Sequence, residues 1–446
     1  MVGKNFRSWL EAWEKNGWLT RIPKPVNPQY VLGAITKKLE RDKGIFFEKV
    51  SGYNIPLVTN LFFSRKALAT ALGMEETDLI PRFKKAMEKP RSCEVIEKAP
   101  FQENVLTRQL NPLKLFPIPT YHERDAGPYI TGGVLVAKDP ETGIRNVSIH
   151  RIRVFEDGVM GLLILPRHLD LCFQKSIRMK RPLEVAVVIG VDPFTLLASQ
   201  AILPFGADEL EVANALRPSS PLKLARCATV DIEVPADAEI VLEGIIDPSQ
   251  TRVEGPFGEY PRYYSTSAPR PTLHLSAVCH RKDPLFFSIL PAAREHLLLG
   301  AIPREASILA DVQRAVPSAR AVHLTYGGTC RYHVVISLAK KNEGEARTAM
   351  LAAMANNVDI KHVVVVDEAI DIFDMEQVEW AVATRFQADR DLLVVPQIQS
   401  SLLDPSGGGF GTKMGIDATA PVGTLEGKFK SIAIPGYDKV RVEDYL

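Results

Sequence analysis

The chain lacks any run approaching the roughly 18 uninterrupted apolar residues that a membrane-spanning helix needs. Its first residues are charged and aromatic rather than an apolar targeting segment. It has no surplus of charge: 54 basic residues stand against 53 acidic ones, so nothing favours a nucleic-acid or membrane-surface partner. It has no CxxC pair. The five cysteines, Cys93, Cys172, Cys227, Cys279 and Cys330, are odd in number and far apart, so neither a structural zinc site nor a disulfide framework is indicated. No GxGxxG follows a strand-like run, so a dinucleotide domain is not expected. Internal repeats and low-complexity segments are also missing. These absences describe a soluble, cytoplasmic globular protein.

At 446 residues the chain is too long for one hydrophobic core, and two or three domains are expected. Phe6, Trp9, Leu10 and Trp13 recur at helical spacing, so 4–15 reads as an amphipathic helix ending near Gly17. Its aromatic stripe suits a core or a partner-subunit contact. Strand-like runs at 44–50 and 55–61 and a helix from about Arg65 complete a small α/β unit. Pro112, Pro117 and Pro119 then punctuate the chain. From Tyr129 the texture changes. Runs at 129–137, 146–155, 185–191, 223–232, 240–246 and 272–280 are strand-length and β-branched, with one strong helix near 208–215. Such spacing predicts a closed or split barrel. Beyond about 305 an α/β pattern returns, with strands at 321–325, 334–338 and 362–366 and helices at 345–355 and 374–386. Asp374 and Gln377 form a candidate capping box for the last helix. The expected domains are 1–110, 111–305 and 306–446.

The most informative segment is Arg252-Val-Glu-Gly-Pro-Phe-Gly-Glu-Tyr260. A general acid/base pair needs two carboxyls near one reaction centre but in unlike surroundings. Gly255, Pro256 and Gly258 supply a turn that can aim Glu254 and Glu259 at one pocket. Taken alone, the same segment reads first as a solvated surface turn, and the rest of the chain is what overturns that. Three further polar clusters lie in the barrel region. Alternation along Thr142-Gly-Ile-Arg-Asn-Val-Ser-Ile-His-Arg151 places Asn146, Ser148 and His150 on one face, and Arg145, Val147, Ile149 and Arg151 on the other. Pro166-Arg-His168 precedes a presumed helix, and Pro204-Phe-Gly-Ala-Asp-Glu209 opens another with an acidic first turn. Asn146, His168 and Glu209 are hard or borderline ligand types, better suited with phosphate oxygens to Mg²⁺ or Mn²⁺ than to zinc. Spacing does not link them, since each lies on a different element. The Gly-rich run 404–419 is either a phosphate cradle completed by Lys413 or a mobile loop.

Six segments in order carry a resemblance: 125–131 (Asp-Ala-Gly-Pro-Tyr-Ile-Thr), 143–151, 204–209, 254–259, Asp391 after Thr384-Arg385, and 413–419 (Lys-Met-Gly-Ile-Asp-Ala-Thr). Together they resemble the UbiD-like decarboxylases. Those enzymes use prenylated FMN to decarboxylate aromatic and α,β-unsaturated acids, usually reversibly. The resemblance implies an α+β multidomain fold, with a central flavin-reductase-type split β-barrel between N- and C-terminal α/β domains. The last of these would mediate oligomerisation and closing. It implies that Arg151, Glu254 and Glu259 form the catalytic trio. Asn146, His168 and Glu209 would ligate Mn²⁺ or Mg²⁺ at the cofactor phosphate, with Ser148, Ile149, Arg151 and Arg167 along the cofactor. A potassium ion would sit near the carbonyls of Val147 and Ala198-Ser199. The expected partners are a flavin prenyltransferase that supplies the cofactor and further copies of the chain, as a dimer or a hexamer.

The reaction implied is reversible, non-oxidative loss of CO₂ through a covalent substrate–cofactor adduct, with Glu259 protonating the carbon that lost it. The segment 291–304 places His296 and Arg304 eight residues apart, on neighbouring faces if helical, where they could hold a second carboxylate. That segment resembles the branch acting on furan-2,5-dicarboxylate and pyrrole-2-carboxylate. The expected reaction is furan-2,5-dicarboxylate to 2-furoate and CO₂. Pyrrole-2-carboxylate, a hydroxybenzoate and a polyprenyl-hydroxybenzoate are the alternatives. A flavin oxidoreductase on the same barrel would need a nicotinamide site, for which no motif exists. A non-catalytic flavin-binding protein would have no need of the carboxylate pair.

Overall fold

The computed structural model describes residues 5–217 and 220–446. They form two compact units, Met1–Ser307 with Leu403–Pro405, and Ile308–Leu402 with Ser406–Leu446. Among the described residues no helix is long and apolar enough to cross a membrane.

The first unit begins with the helix Phe6–Lys15, capped by the Asn5 side chain. Phe6, Trp9, Leu10 and Trp13 are buried on one stripe, and Trp9 meets Trp13 and Phe62 edge to face at 5.4 and 5.1 Å. The stripe is therefore core. Removing each such side chain from water contributes about 1.5–3 kcal/mol. The helix lies in the same unit as a four-stranded sheet, Leu19–Ile22, Gly44–Phe47, Leu57–Thr59 and Phe286–Phe287 in that order. Its last strand arrives from far along the chain and packs Phe287 against Phe6 at 5.6 Å.

The centre of this unit is a nine-stranded sheet. Its order is Tyr129–Ile130, Ile152–Val154, Met160–Leu162, Ala268–His280, Ile240–Glu254, Leu183–Ile189, Val134–Lys138 and Arg145–Ile149, with Asn104–Leu106 added beside Ala268–His280. The pairs are antiparallel, and the curled sheet is a split half-barrel. The run expected at 129–137 is two strands, because Gly132 and Gly133 let the chain pass close to its neighbours. A Cβ on Gly132 would lie 2.8 Å from the Phe287 carbonyl oxygen, and one on Gly133 2.7 Å from Val187. The run at 146–155 is likewise two strands, and Arg151 falls in the gap between them. The helix near 208–215 is joined by His168–Arg178 and Pro193–Ala198. The latter is buried on all sides, so it shows no amphipathic period and hides from a periodicity reading.

The second unit is built on a five-stranded sheet, Ala319–Leu324, His333–Leu338, His362–Asp367, Phe410–Ala418 and Leu392–Gln399. The helices Glu345–Asn356 and Met375–Arg385 accompany it. Asp374 does cap the second helix by accepting the Glu376 N–H. The expected box does not close: Gln377 donates to the Asp374 side chain and accepts from the Asp371 N–H.

Candidate active site

Glu254 ends the 15-residue strand Ile240–Glu254, and the loop that returns to Ala268–His280 carries Glu259. Gly255 has φ +88°, and a Cβ there would meet the Thr266 carbonyl oxygen at 2.6 Å. Only glycine allows this turn directly after the first glutamate. Arg151 leaves its strand gap with a guanidinium that bridges both carboxylates. Its Nη2 donates to Glu254 Oε2 at 2.8 Å and its Nη1 to Glu259 Oε1. The guanidinium lies over the Phe257 ring at 5.1 Å, and its Nε is buried without a hydrogen-bond partner. Tyr129 Oη donates to the other oxygen of Glu254 at 3.0 Å and its ring packs on Phe257 at 4.4 Å.

The two carboxyls thus sit in unlike surroundings. Glu254 is 0 % exposed and Glu259 9 %. Burial raises the Glu259 carboxyl above its ordinary pKa, and the Arg151 charge works against that rise. Burial opposes the Arg151 charge, but Glu259 and Glu254 outweigh it and lift its pKa. The Tyr129 hydroxyl is pushed up by burial and then by Glu254, so it stays a proton donor. Tyr129 was not singled out from the sequence. The signal for it is its place in the 125–131 segment.

A second cluster gathers Asn146 and His168 on one small cavity, together with Arg145, Phe205 and Gly206. Glu209 begins the helix Glu209–Leu216, and its Oε2 accepts the Val147 N–H at 2.8 Å. The alternation read from the sequence is realised. Asn146 Nδ2 donates to Ser148 Oγ at 3.3 Å, Ser148 Oγ meets His150 Nε2 at 2.8 Å, and His150 Nδ1 meets the Leu163 carbonyl oxygen at 3.2 Å. That carbonyl can only accept, so Nδ1 carries the proton and Ser148 donates to Nε2. Burial holds the His150 pKa down to about 4, consistent with the neutral ring. With its Nδ2 committed to Ser148, Asn146 has its Oδ1 left over as an acceptor.

Asn146, His168 and Glu209 are donor types that suit a divalent cation, and the first two line one cavity. Burial pushes the Glu209 carboxyl up to about 8 and lowers His168, with Arg167 adding to the effect, so the imidazole offers a lone pair at neutral pH. A dication there would offset the cost of ionising Glu209. Among the described residues no three His, Cys, Asp or Glu side chains converge as a metal cluster; the third donor here is an amide.

His296 and Arg304 both lie on the helix Arg294–Ala315. His296 Nδ1 accepts the Ala292 N–H at 3.1 Å, which leaves the ring proton on Nε2. Arg304 is 8 % exposed, and its Nη1 donates to the Gly300 carbonyl oxygen at 2.9 Å. Lys413 is not a phosphate ligand in this structure. It sits within the strand Phe410–Ala418, 1 % exposed. Its Nζ donates to the Met354 and Asn357 carbonyl oxygens at 3.0 and 2.9 Å. Strand alternation turns it into the second unit.

Comparison with known proteins bears on this geometry. Residues 10–87, 94–294 and 297–418 match the N-terminal, Rift-related and C-terminal domains of the UbiD family, described as 3-octaprenyl-4-hydroxybenzoate carboxy-lyase. The anhydromevalonate phosphate decarboxylase of Methanothermobacter thermautotrophicus is 39 % identical, covering 92 % of this chain and 95 % of the relative. The UbiD-class enzyme HmfF from Pelotomaculum thermopropionicum, solved with FMN, superposes with a TM-score of 0.97. It is 50 % identical over 99 % of this chain and 100 % of its own. An evolved dimeric form of HmfF with prenylated FMN gives 0.93 at 48 % identity, with the same coverage. This chain belongs to the UbiD family of prenylated-FMN-dependent decarboxylases.

Proposed function

We propose that the chain decarboxylates a heteroaromatic acid, furan-2,5-dicarboxylate, to 2-furoate and CO₂. The observation that carries the reading is the buried guanidinium of Arg151 shared by Glu254 and Glu259. Prenylated FMN, when bound, supplies the electron sink that an sp² carbon losing CO₂ otherwise lacks. Arg151 orients the reacting carboxylate and holds the two glutamates in register. The electron pair of the C–C bond broken as CO₂ leaves ends in the new C–H bond, whose proton Glu259 delivers. Its raised pKa supports this role, because burial favours the protonated carboxyl that can give up a proton. Glu254, held by Arg151 and Tyr129, stays in place as the fixed counter-charge.

Asn146, His168 and Glu209 would hold Mn²⁺ or Mg²⁺ against the cofactor phosphate, with Ser148, Ile149 and Arg167 beside it. A potassium ion would take carbonyls near Val147 and Ala198-Ser199. His296, through Nε2, and Arg304 would hold the second, non-reacting carboxylate. The chain would work as a cytoplasmic homo-oligomer in three domains, 1–110, 111–305 and 306–446, loaded by a flavin prenyltransferase. A phosphorylated substrate is the second reading, favoured by the anhydromevalonate phosphate decarboxylases among its relatives. The test is CO₂ release by protein co-produced with flavin prenyltransferase, offered either acid. Turnover of furan-2,5-dicarboxylate and not of anhydromevalonate phosphate is the expected result. The reverse preference refutes the dicarboxylate assignment.

A further inference from the structure

The loop that carries Glu259 is gripped from outside by residues 122–126. Asp125 Oδ1 accepts the Gly258 N–H at 2.9 Å, and the Ala126 N–H donates to the Pro256 carbonyl oxygen at 2.9 Å. The second Asp125 oxygen, Oδ2, accepts the His122 N–H at 2.9 Å and lies 3.4 Å from His122 Nδ1. The Asp125 N–H returns to the His122 carbonyl oxygen at 3.0 Å. Its side chain is 1 % exposed. The His122 ring lies flush on Gly258: a Cβ there would stand 2.5 Å from Nδ1 and 2.9 Å from Cε1. Tyr264 joins the loop to the same segment. It bridges Gly258 in antiparallel fashion, meets the His122 ring at 6.4 Å and underlies the Arg124 guanidinium at 5.1 Å.

A buried carboxylate whose oxygens are spent on main-chain N–H groups costs desolvation and touches neither of the two glutamates. What it fixes is the peptide immediately before Glu259. The geometry points to Asp125 as a positioning residue for Glu259, with the His122 ring setting how closely residues 122–125 approach Gly258. The inference rests on the assignment of Glu259 as the acid. A general acid must be held within hydrogen-bond reach of the atom it serves, and a 1 Å displacement costs on the order of a hundredfold. Asp125 would contribute to rate through that aim alone, with no part in binding cofactor or substrate.

Asp125→Asn tests this, since an amide NH₂ replaces one acceptor oxygen and either the Gly258 or the His122 bond is lost. The expected result is a kcat per bound flavin lower by about ten- to a hundredfold. KM and FMN affinity, the latter read on cofactor-free protein by flavin fluorescence, should stay within about twofold. A lower melting temperature with unchanged kcat per bound flavin would reduce Asp125 to a structural role and overturn the proposal. Glu259→Gln is the control. If it turns over normally the acid assignment itself falls, whereas a dead Glu259→Gln beside a normal Asp125→Asn sinks only the positioning role. Should Asp125→Asn fail to fold, the contact between His122 and Gly258 decides. Gly258→Ala should lower both the melting temperature of cofactor-free protein and kcat, and His122→Ala in the same chain should restore both. No restoration means that the ring does not set the loop.

Discussion

Replacing Arg151 by methionine keeps an unbranched stem and deletes the fork between the two glutamates. Glu254 is fully buried and Glu259 nearly so, and the Arg151 side chain itself is 7 % exposed. Removing one partner of a buried ionic group leaves uncompensated charge and costs about 3–5 kcal/mol. The loss should depend on pH in a definite direction. In the native protein the Arg151 charge and hydrogen bond both lower the Glu259 carboxyl against the burial that raises it. Without them its folded pKa climbs further above the ordinary 4.5. A carboxyl raised on folding contributes its stability below the unfolded pKa and loses it as pH rises through the folded pKa. The deficit of Arg151→Met therefore grows with rising pH in the window between the native folded pKa of Glu259 and the variant's higher one, with a slope of at most about 1.4 kcal/mol per pH unit. Urea unfolding followed by tryptophan fluorescence reads it, because Trp9, Trp13 and Trp18 belong to the same compact unit as the site. A deficit under about 1 kcal/mol, or one equal at both ends of the window, would refute the claim that Arg151 compensates buried carboxylates.

Three further outcomes follow from the same geometry. His168→Ala should remain folded yet lose the divalent ion and elute from gel filtration without flavin; stoichiometric retention of both would remove the metal site. Glu259→Gln keeps the size of the side chain but cannot donate, so turnover and deuterium incorporation into product should fall together by at least about a hundredfold with flavin still bound. Near-normal turnover would name another acid. Arg304→Ala should weaken furan-2,5-dicarboxylate by about ten- to a hundredfold, the worth of one charge-assisted hydrogen bond of about 1.5–3 kcal/mol. The monocarboxylate 2-furoate should change far less, and an equal loss on both acids in steady-state kinetics would return Arg304 to a structural role.

The parts of this architecture legible in the sequence are those governed by local periodicity. The Phe6, Trp9, Leu10 and Trp13 stripe announced a buried helix face, and period two along 145–151 announced the aligned Asn146, Ser148 and His150. The sequence was silent wherever the third dimension joins distant residues. Arg151 lies 103 and 108 positions from the carboxylates it bridges, and no spacing rule spans that gap; the resemblance supplied the grouping. It was silent again where burial erases periodicity, as in Pro193–Ala198, or where close approach breaks a strand, as at Gly132 and Gly133. Lys413 is a case that the glycine-rich neighbourhood left open between a phosphate cradle and a mobile loop. Strand alternation, which the sequence also held in Lys413-Met-Gly-Ile-Asp417, turns the ammonium inward to two carbonyls.

The division of labour between the two glutamates can be argued from their partners. Glu254 has a donor on each oxygen, Tyr129 on Oε1 and Arg151 on Oε2, with no exposed surface. Protonating it would set a new O–H against two existing donors, and donating from it would strip a fixed hydrogen-bond network. Glu259 shares the same guanidinium through one oxygen, sits on a loop rather than a strand, and keeps some exposure. Burial already inclines it towards the neutral form. One guanidinium between two carboxylates can neutralise only one of them, and of the two Glu254 has a further donor in Tyr129. On the proposed reaction the proton that moves in each turnover therefore belongs on Glu259, and the Gly255–Gly258 turn is what lets two glutamates five residues apart take up different surroundings around a single arginine.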